Sequence, residues 1–327
     1  MAEIPTDILD MHCHTAGIGS GSECFVSDAL RNSWKFKQYL RIFGVKKQDI
    51  EAKGDLLVME RISNWIQESR YVSGAVILAM DAVYTNGEMQ EKQTEVYVSN
   101  ELVYEGCQKY PGLYFGASVH PQRNDALEAL EKVKEQGAVL IKWLPSIQMI
   151  DPANPQLEMY YRKLVELDIP LLTHVGDEDS FTSAIDSLSD PYALELPAKL
   201  GVKIIAAHVA SSGSRDGITN VQRLLNMMEK HPNIVADIST LTQYNRRKYI
   251  KQILNSDTLN GRLLYGTDHP LTNTPLVTPW QFLFKLGFNK CRQIAAIKNP
   301  WDRDVELKIA LGFPEQVFAK PKDYLLD

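Results

Sequence analysis

Eight short apolar runs alternate with segments of helical periodicity along 327 residues, and no other feature limits the fold as strongly. The runs fall near 6–14, 74–80, 113–119, 138–141, 170–173, 202–207, 233–239 and 262–267. Continuous apolar strands with helices between them read as parallel strands buried on both faces. Eight such units are the number that closes an α/β (β/α)8 barrel, and a chain of this length can form one as a single domain. An open doubly wound sheet fits the same alternation but gives no reason for where the polar residues fall. Helices are expected at 88–109, 124–136, 155–167, 192–200, 218–230 and 245–255.

The polar residues sit at the ends of the runs. His12 and His14 close the first, Asp81 follows the second, His120 the third, Lys142 the fourth, His174 the fifth, His208 the sixth and Asp268 the eighth. Barrel active sites are built at this C-terminal rim. Five of the seven histidines end strands, and His269 follows Asp268; only His231 lies elsewhere. Strand side chains alternate faces, so His12 and His14 converge while Cys13 points away. The same alternation turns His269 away from the point that Asp268 faces.

These residues resemble the amidohydrolase superfamily. The matching segments are Ile8-Leu9-Asp10-Met11-His12-Cys13-His14, Lys142, Thr173-His174, Ala207-His208 and Gly266-Thr267-Asp268-His269-Pro270. More narrowly, the chain resembles the amidohydrolase-2, or aminocarboxymuconate-semialdehyde-decarboxylase-like, branch, from the first strand to the end of the eighth. The resemblance implies a TIM barrel whose matching positions bind a divalent metal, usually zinc, and an activity that is hydrolytic or decarboxylating. In binuclear members of the superfamily, a lysine at the end of the fourth strand is carboxylated and bridges two ions. The tail from Asn299 to Pro314 is also similar to the family. Val317-Phe318-Ala319-Lys320 stands where the family's final helix carries an Asn-Ala-x-Arg-Leu-type turn, so that helix lacks its usual signature.

Physical roles can be assigned from the residue types. A catalytic zinc takes about three protein ligands and keeps one position open. His12, His14 and His174 offer neutral imidazoles and Asp268 an anionic oxygen; Zn2+ suits this set, with Mn2+ as an alternative, as one ion or two. Such a cation lowers the pKa of bound water toward about 7. Asp268 and His208 are the expected catalytic residues. Asp268 would accept and return a proton, and His208 would hold the water, polarise a substrate oxygen or bind a second ion. Lys142 is expected to bind a substrate carboxylate as a cation, or else to bridge two ions. His120, Asp81 and Trp143, with Asp177 and Glu178, are candidates for lining the pocket. The competing readings are satisfied core histidines for His174, His208 and His120, and a turn residue for Asp268.

Composition removes several classes. A net charge of −6, with no basic run, argues against a nucleic-acid surface, and no apolar stretch is long enough to span a bilayer. The start, Met-Ala-Glu-Ile-Pro, lacks a signal-peptide pattern. Cys13, Cys24, Cys107 and Cys291 form no CxxC and read as free thiols of a cytoplasmic protein. The glycines at 17, 19 and 21 do not have phosphate-binding spacing and read as a plain loop beside the site. Residues 26–70 read as a helical insertion shaping the pocket mouth, whose aromatic residues could alternatively form a homo-oligomer contact; 299–327 read as a C-terminal extension. The expectation is a single-domain, metal-dependent hydrolase acting on a small carboxylate-bearing amide, lactone or related substrate. Non-oxidative decarboxylation of an unsaturated or aromatic acid is the alternative, and a non-catalytic binding barrel the third.

Overall fold

The computed structural model describes residues 4–178 and 180–326; Met1, Ala2 and Glu3 of the N-terminal stretch, Asp179 and Asp327 lie outside the described residues. Eight parallel strands form one sheet in sequence order: β1 Ile8–His14, β2 Val72–Leu78, β3 Leu113–Ala117, β4 Leu140–Trp143, β5 Leu171–Thr173, β6 Ile204–Ala206, β7 Ile234–Asp237 and β8 Leu263–Leu264. The sheet closes on itself beyond β8. The Asp268 amide donates to the His12 carbonyl at 2.7 Å, the His14 amide donates to the His269 carbonyl at 2.8 Å, and Cys13 bridges His269 in parallel. The fold is a (β/α)8 barrel.

Its interior is filled by side chains from the strands, among them Leu9, Met11, Val76, Leu78, Leu140, Leu172, Ile205, Val235 and Leu264. These pack as a separate cluster from the larger core between sheet and helices, which holds Ile8, Cys13, Ile141 and Trp143. Strand alternation explains both sets except in β1. There Leu9 and Met11 face inward, yet so do His12 and His14 above them. A register irregularity between Asp10 and Cys13 resets the parity; bulges re-aim side chains in this way, often beside active sites.

The insertion after β1 is helical, including α1 Trp34–Ile42, α2 Lys47–Lys53 and α3 Leu56–Gln67. Ser33 caps α1 by accepting from the Phe36 amide. Phe36, Leu40 and Phe43 are buried, whereas Trp34 is exposed. The glycine loop ahead of it is pinned by buried Asp55, whose carboxylate accepts from the amides of Ile18, Gly19 and Ser20 and the Ser22 hydroxyl.

Two expected helical stretches differ. Only α4, Asn100–Lys109, is helical within 88–109. Residues 84–98 form short strands and a 3-10 turn instead, because the Thr94 hydroxyl takes the Val83 amide and donates to the Gln90 carbonyl, while Ser99 starts the helix as its cap. The end of the chain does form a helix, α5, Gln316–Leu326. Its Tyr324, Leu325 and Leu326 pack on the barrel-interior cluster, so burial replaces the missing sequence signature. No helix among the described residues is long and apolar enough to cross a membrane, and all four cysteines are free.

Candidate functional site

The ends of β1, β4, β5 and β6, with the segment after β8, bring His12, His14, Lys142, His174, His208 and Asp268 to the floor of one cleft at the C-terminal rim. His12 Nε2 and His14 Nε2 lie 3.3 and 3.2 Å from the same Asp268 oxygen, Oδ1, and His208 Nε2 lies 3.7 Å from Oδ2. Donor atoms around a tetrahedral ion at about 2.0–2.1 Å stand roughly 3.3 Å apart, so this spacing suits a small divalent cation. The ring of His174 is 5.2 Å from that of His208, and its Nε2 is buried with no hydrogen-bond partner. An orphaned buried imidazole nitrogen is unfavourable unless a water or an ion meets it.

The hydrogen-bond network assigns the tautomers. His12 Nδ1 lies 2.8 Å from Asp237 Oδ2 and donates to it, leaving the Nε2 lone pair facing the floor. His208 Nδ1 lies 2.7 Å from the Ser239 hydroxyl oxygen, which itself donates to Asp237 Oδ1. His208 therefore donates to Ser239 and also presents Nε2. His174 Nδ1 lies 3.4 Å from Glu178 Oε2. Acceptors behind ligating histidines fix ring orientation in this manner. Burial dominates the protonation of these rings: it pushes His12 down to about 4, helped by neighbouring Lys142, and lowers His174 and His208 too. Neutral rings are what a cation needs. Burial alone would raise the Asp268 carboxyl, but His12, His208 and His14 around it hold it well below the usual range, so it is an anion. Lys142 is buried with Nζ 3.0 Å from His12 Nε2, and burial brings it down to about 8.

The backbone carrying these groups is strained. His208, Val209 and Ala210 run consecutively at φ 58, 50 and 49°, and Asp268 sits at 58°. Side-chain-bearing residues, β-branched valine above all, avoid this region, and such conformations concentrate at functional sites.

The remaining candidates lie elsewhere. Trp143 follows Lys142, so alternation points it outward, where its indole donates to the Val119 carbonyl. His120 is a satisfied core histidine: Nε2 donates to the Gln148 carbonyl and Nδ1 accepts the Gln122 amide. Asp81 ties two rim loops together, accepting from the His120 amide and from Arg123. None of the three lines the cleft. Glu178 does, whereas Asp177 faces Arg215. His269 points away from the floor and stacks on Trp301 at 4.6 Å.

Two groups were not singled out in the sequence. Asp237 and Ser239 orient His12 and His208, and their spacing, Asp-x-Ser at the end of β7, repeats that of His-x-His. Asp10 is the other support: it accepts from Trp301 Nε1, the Thr267 hydroxyl and amide, and the His12 amide, tying β1 to the segment that carries Asp268.

The family model described as Amidohydrolase matches residues 10–287. No protein of curated function matches the sequence. Among solved structures, a protein assigned as a 2-pyrone-4,6-dicarboxylic acid hydrolase from Pseudomonas putida is similar at 13% identity and TM-score 0.56, covering 98% of this chain and 97% of its own. The 5-carboxyvanillate decarboxylase LigW from Sphingomonas paucimobilis is similar at 9% identity and TM-score 0.52, covering 98% of each. A TIM-barrel protein from Bordetella bronchiseptica is similar at 14% identity and TM-score 0.57, covering 94% of this chain and all of its own. At these identities the likeness to solved structures is one of fold.

Proposed function

The chain belongs to the amidohydrolase family, and from that premise we propose that it is a metal-dependent hydrolase that splits an amide, lactone or related acyl bond with activated water. The observation carrying this reading is the convergence of His12 and His14 on one ionised oxygen of Asp268, beside the orphaned nitrogen of His174. His12, His14, His174 and Asp268 would hold the ion, zinc by its nitrogen-rich donor set, or manganese. When bound there, a divalent cation supplies Lewis acidity toward a carbonyl oxygen and makes water ionisable near neutral pH.

Hydrolysis joins the water oxygen to the carbonyl carbon and breaks the bond from that carbon to the leaving nitrogen or oxygen. One water proton must reach the leaving group. Asp268, an anion on the cleft floor, is the group placed to take that proton and hand it on. His208 presents a lone pair beside Asp268 Oδ2 and would accept a hydrogen bond from the same water. Lys142 reaches the floor through β4 and is placed to meet substrate oxygen, or to bridge if carboxylated.

Decarboxylation is the second reading, and one observation favours it. Among the described residues, Lys142 is the sole lysine or arginine on the lining, which suits a substrate held by a single carboxylate. Metal content by elemental mass spectrometry, followed by parallel assays of acid release from amides and lactones and of carbon dioxide from aryl and enoic acids, separates the two. About one ion per chain with acid release is the expected result. His12→Ala and Asp268→Ala should lose metal or turnover with the fold retained. Full metal and activity in either variant would overturn the assignment, and carbon dioxide release alone would transfer it to the lyase.

A further inference from the structure

Resting on the hydrolase reading, we propose that the substrate is an amphiphile: a single polar acyl head at the histidine floor, and an apolar chain or ring filling the cleft above. The non-atom space in and over the cleft is about 950 Å³, a figure that includes open solvent at its mouth. Its upper walls are hydrocarbon, with Leu30, Phe36 and Leu40 from the insertion, Val96 and Val98 from the segment after β2, and Phe181 from the loop after β5. Among the described residues that line it, charge is confined to the floor and its edge, where Glu178 stands beside His174. The Tyr39 phenol on the wall is committed, donating to the Ser180 carbonyl at 2.6 Å. Among the described residues, no arginine lines the cleft.

These walls are tied together. Lys35 donates to the Phe181 carbonyl at 2.7 Å, and Glu95 accepts the Thr182 amide at 2.8 Å, so the insertion, the segment after β2 and the loop after β5 form one mouth. The apolar surface is thus built from three distant stretches held in register. A second carboxylate on the substrate would leave water to lie against these side chains, with the nearby Lys35 already committed to the Phe181 carbonyl, which is unfavourable. Each methylene placed there gains instead. The walls therefore select by attraction and by rejection together, and the small carboxylate-bearing substrate expected from Lys142 gives way to one whose far end is hydrocarbon.

The test is isothermal calorimetry on the full chain, zinc-free and zinc-loaded, with straight-chain monocarboxylates from butanoate to decanoate and α,ω-dicarboxylates of equal length. Affinity should rise about fourfold per methylene, the factor set by about 0.8 kcal/mol each, until the cleft is filled. Stoichiometry should be one per chain, and each dicarboxylate should bind at least 30-fold more weakly than its monocarboxylate. Phe36→Ser with Leu40→Ser, folded by circular dichroism, should flatten the series; should that variant not fold, the wild-type series decides alone. A flat wild-type series, dicarboxylates that bind as tightly, or several ligands per chain would each overturn the proposal. Because the series is also read without zinc, its failure is distinguishable from failure of the hydrolase reading, which shows as absent metal or absent acid release.

Discussion

Asp237→Asn should weaken metal binding while leaving the fold in place. Asp237 Oδ1 accepts the His208 amide at 3.0 Å, the Ser239 amide at 2.9 Å and the Ser239 hydroxyl. Oδ2 faces His12 Nδ1 at 2.8 Å. In the variant, the two backbone donors hold the carboxamide oxygen at the Oδ1 position. The new NH2 must then occupy the Oδ2 position and donate to His12 Nδ1. His12 is driven to the opposite tautomer, with its proton on Nε2, the atom that faces Asp268 and lies 3.0 Å from Lys142 Nζ. Loss of such an orienting partner lowers metal affinity by about 10–100-fold, or about 1.4–2.7 kcal/mol. Competition against a chromogenic chelator measures this, and histidine ¹⁵N shifts on the zinc-free protein read the tautomer independently of metal. Wild-type affinity together with an unchanged His12 tautomer would refute the reasoning. Asp237→Ala is the contrasting variant, because it strands two buried amides at about 1–3 kcal/mol each and should lower the melting temperature as well.

Three further outcomes follow from the same geometry. Asp10→Ala removes the acceptor of Trp301, Thr267 and the His12 amide at a site with no exposure; it should destabilise the protein by about 3–5 kcal/mol in urea titration, and a loss under 1 kcal/mol would mean that other groups take over those bonds. Lys142→Gln should reduce kcat/KM for an acyl substrate at least tenfold, about 1.4 kcal/mol, with metal still near one ion per chain; halved metal content would instead identify Lys142 as a bridge. Burial brings His120 down to about 4, against 6.5 for a free ring, so between these values the unfolded chain binds the extra proton and stability must rise with pH. His120 therefore withdraws up to about 3 kcal/mol as pH falls from 6.5 to 4, and His120→Gln should reduce the slope of unfolding free energy over that window; an unchanged slope would show that the ring is not buried neutral.

The barrel was legible because its strands are buried on both faces and read as apolar runs, with chemistry left over at their ends. What failed did so for local reasons. The alternation that turns Cys13 away from the two histidines also turns Trp143 away from Lys142, so Trp143 cannot share the lysine's side of β4. The helical reading of 88–109 followed its Glu, Gln and Lys content, yet Thr94 claims the backbone groups a helix would need and frees Val96 and Val98 to form cleft wall.

The supports of the site were hidden for a different reason. A candidate ligand is visible in a sequence when its residue type is rare and its position is marked, as with histidines ending strands. Asp237, Ser239 and Asp10 are common residues inside or just beyond strands, and their importance comes only from partners up to 291 positions away. The bulge in β1 deepens this. Simple alternation puts Asp10 on the same face as His12, whereas the register irregularity turns Asp10 outward to Trp301 and His12 inward to the floor. A side chain that anchors the strand and one that faces the cleft thus sit two residues apart, with opposite directions set by one irregular step in the pairing. The cleft's chemistry consequently depends on how β1 pairs as much as on the histidines it carries. A substitution that regularised β1 would move His12 without touching any residue of the floor.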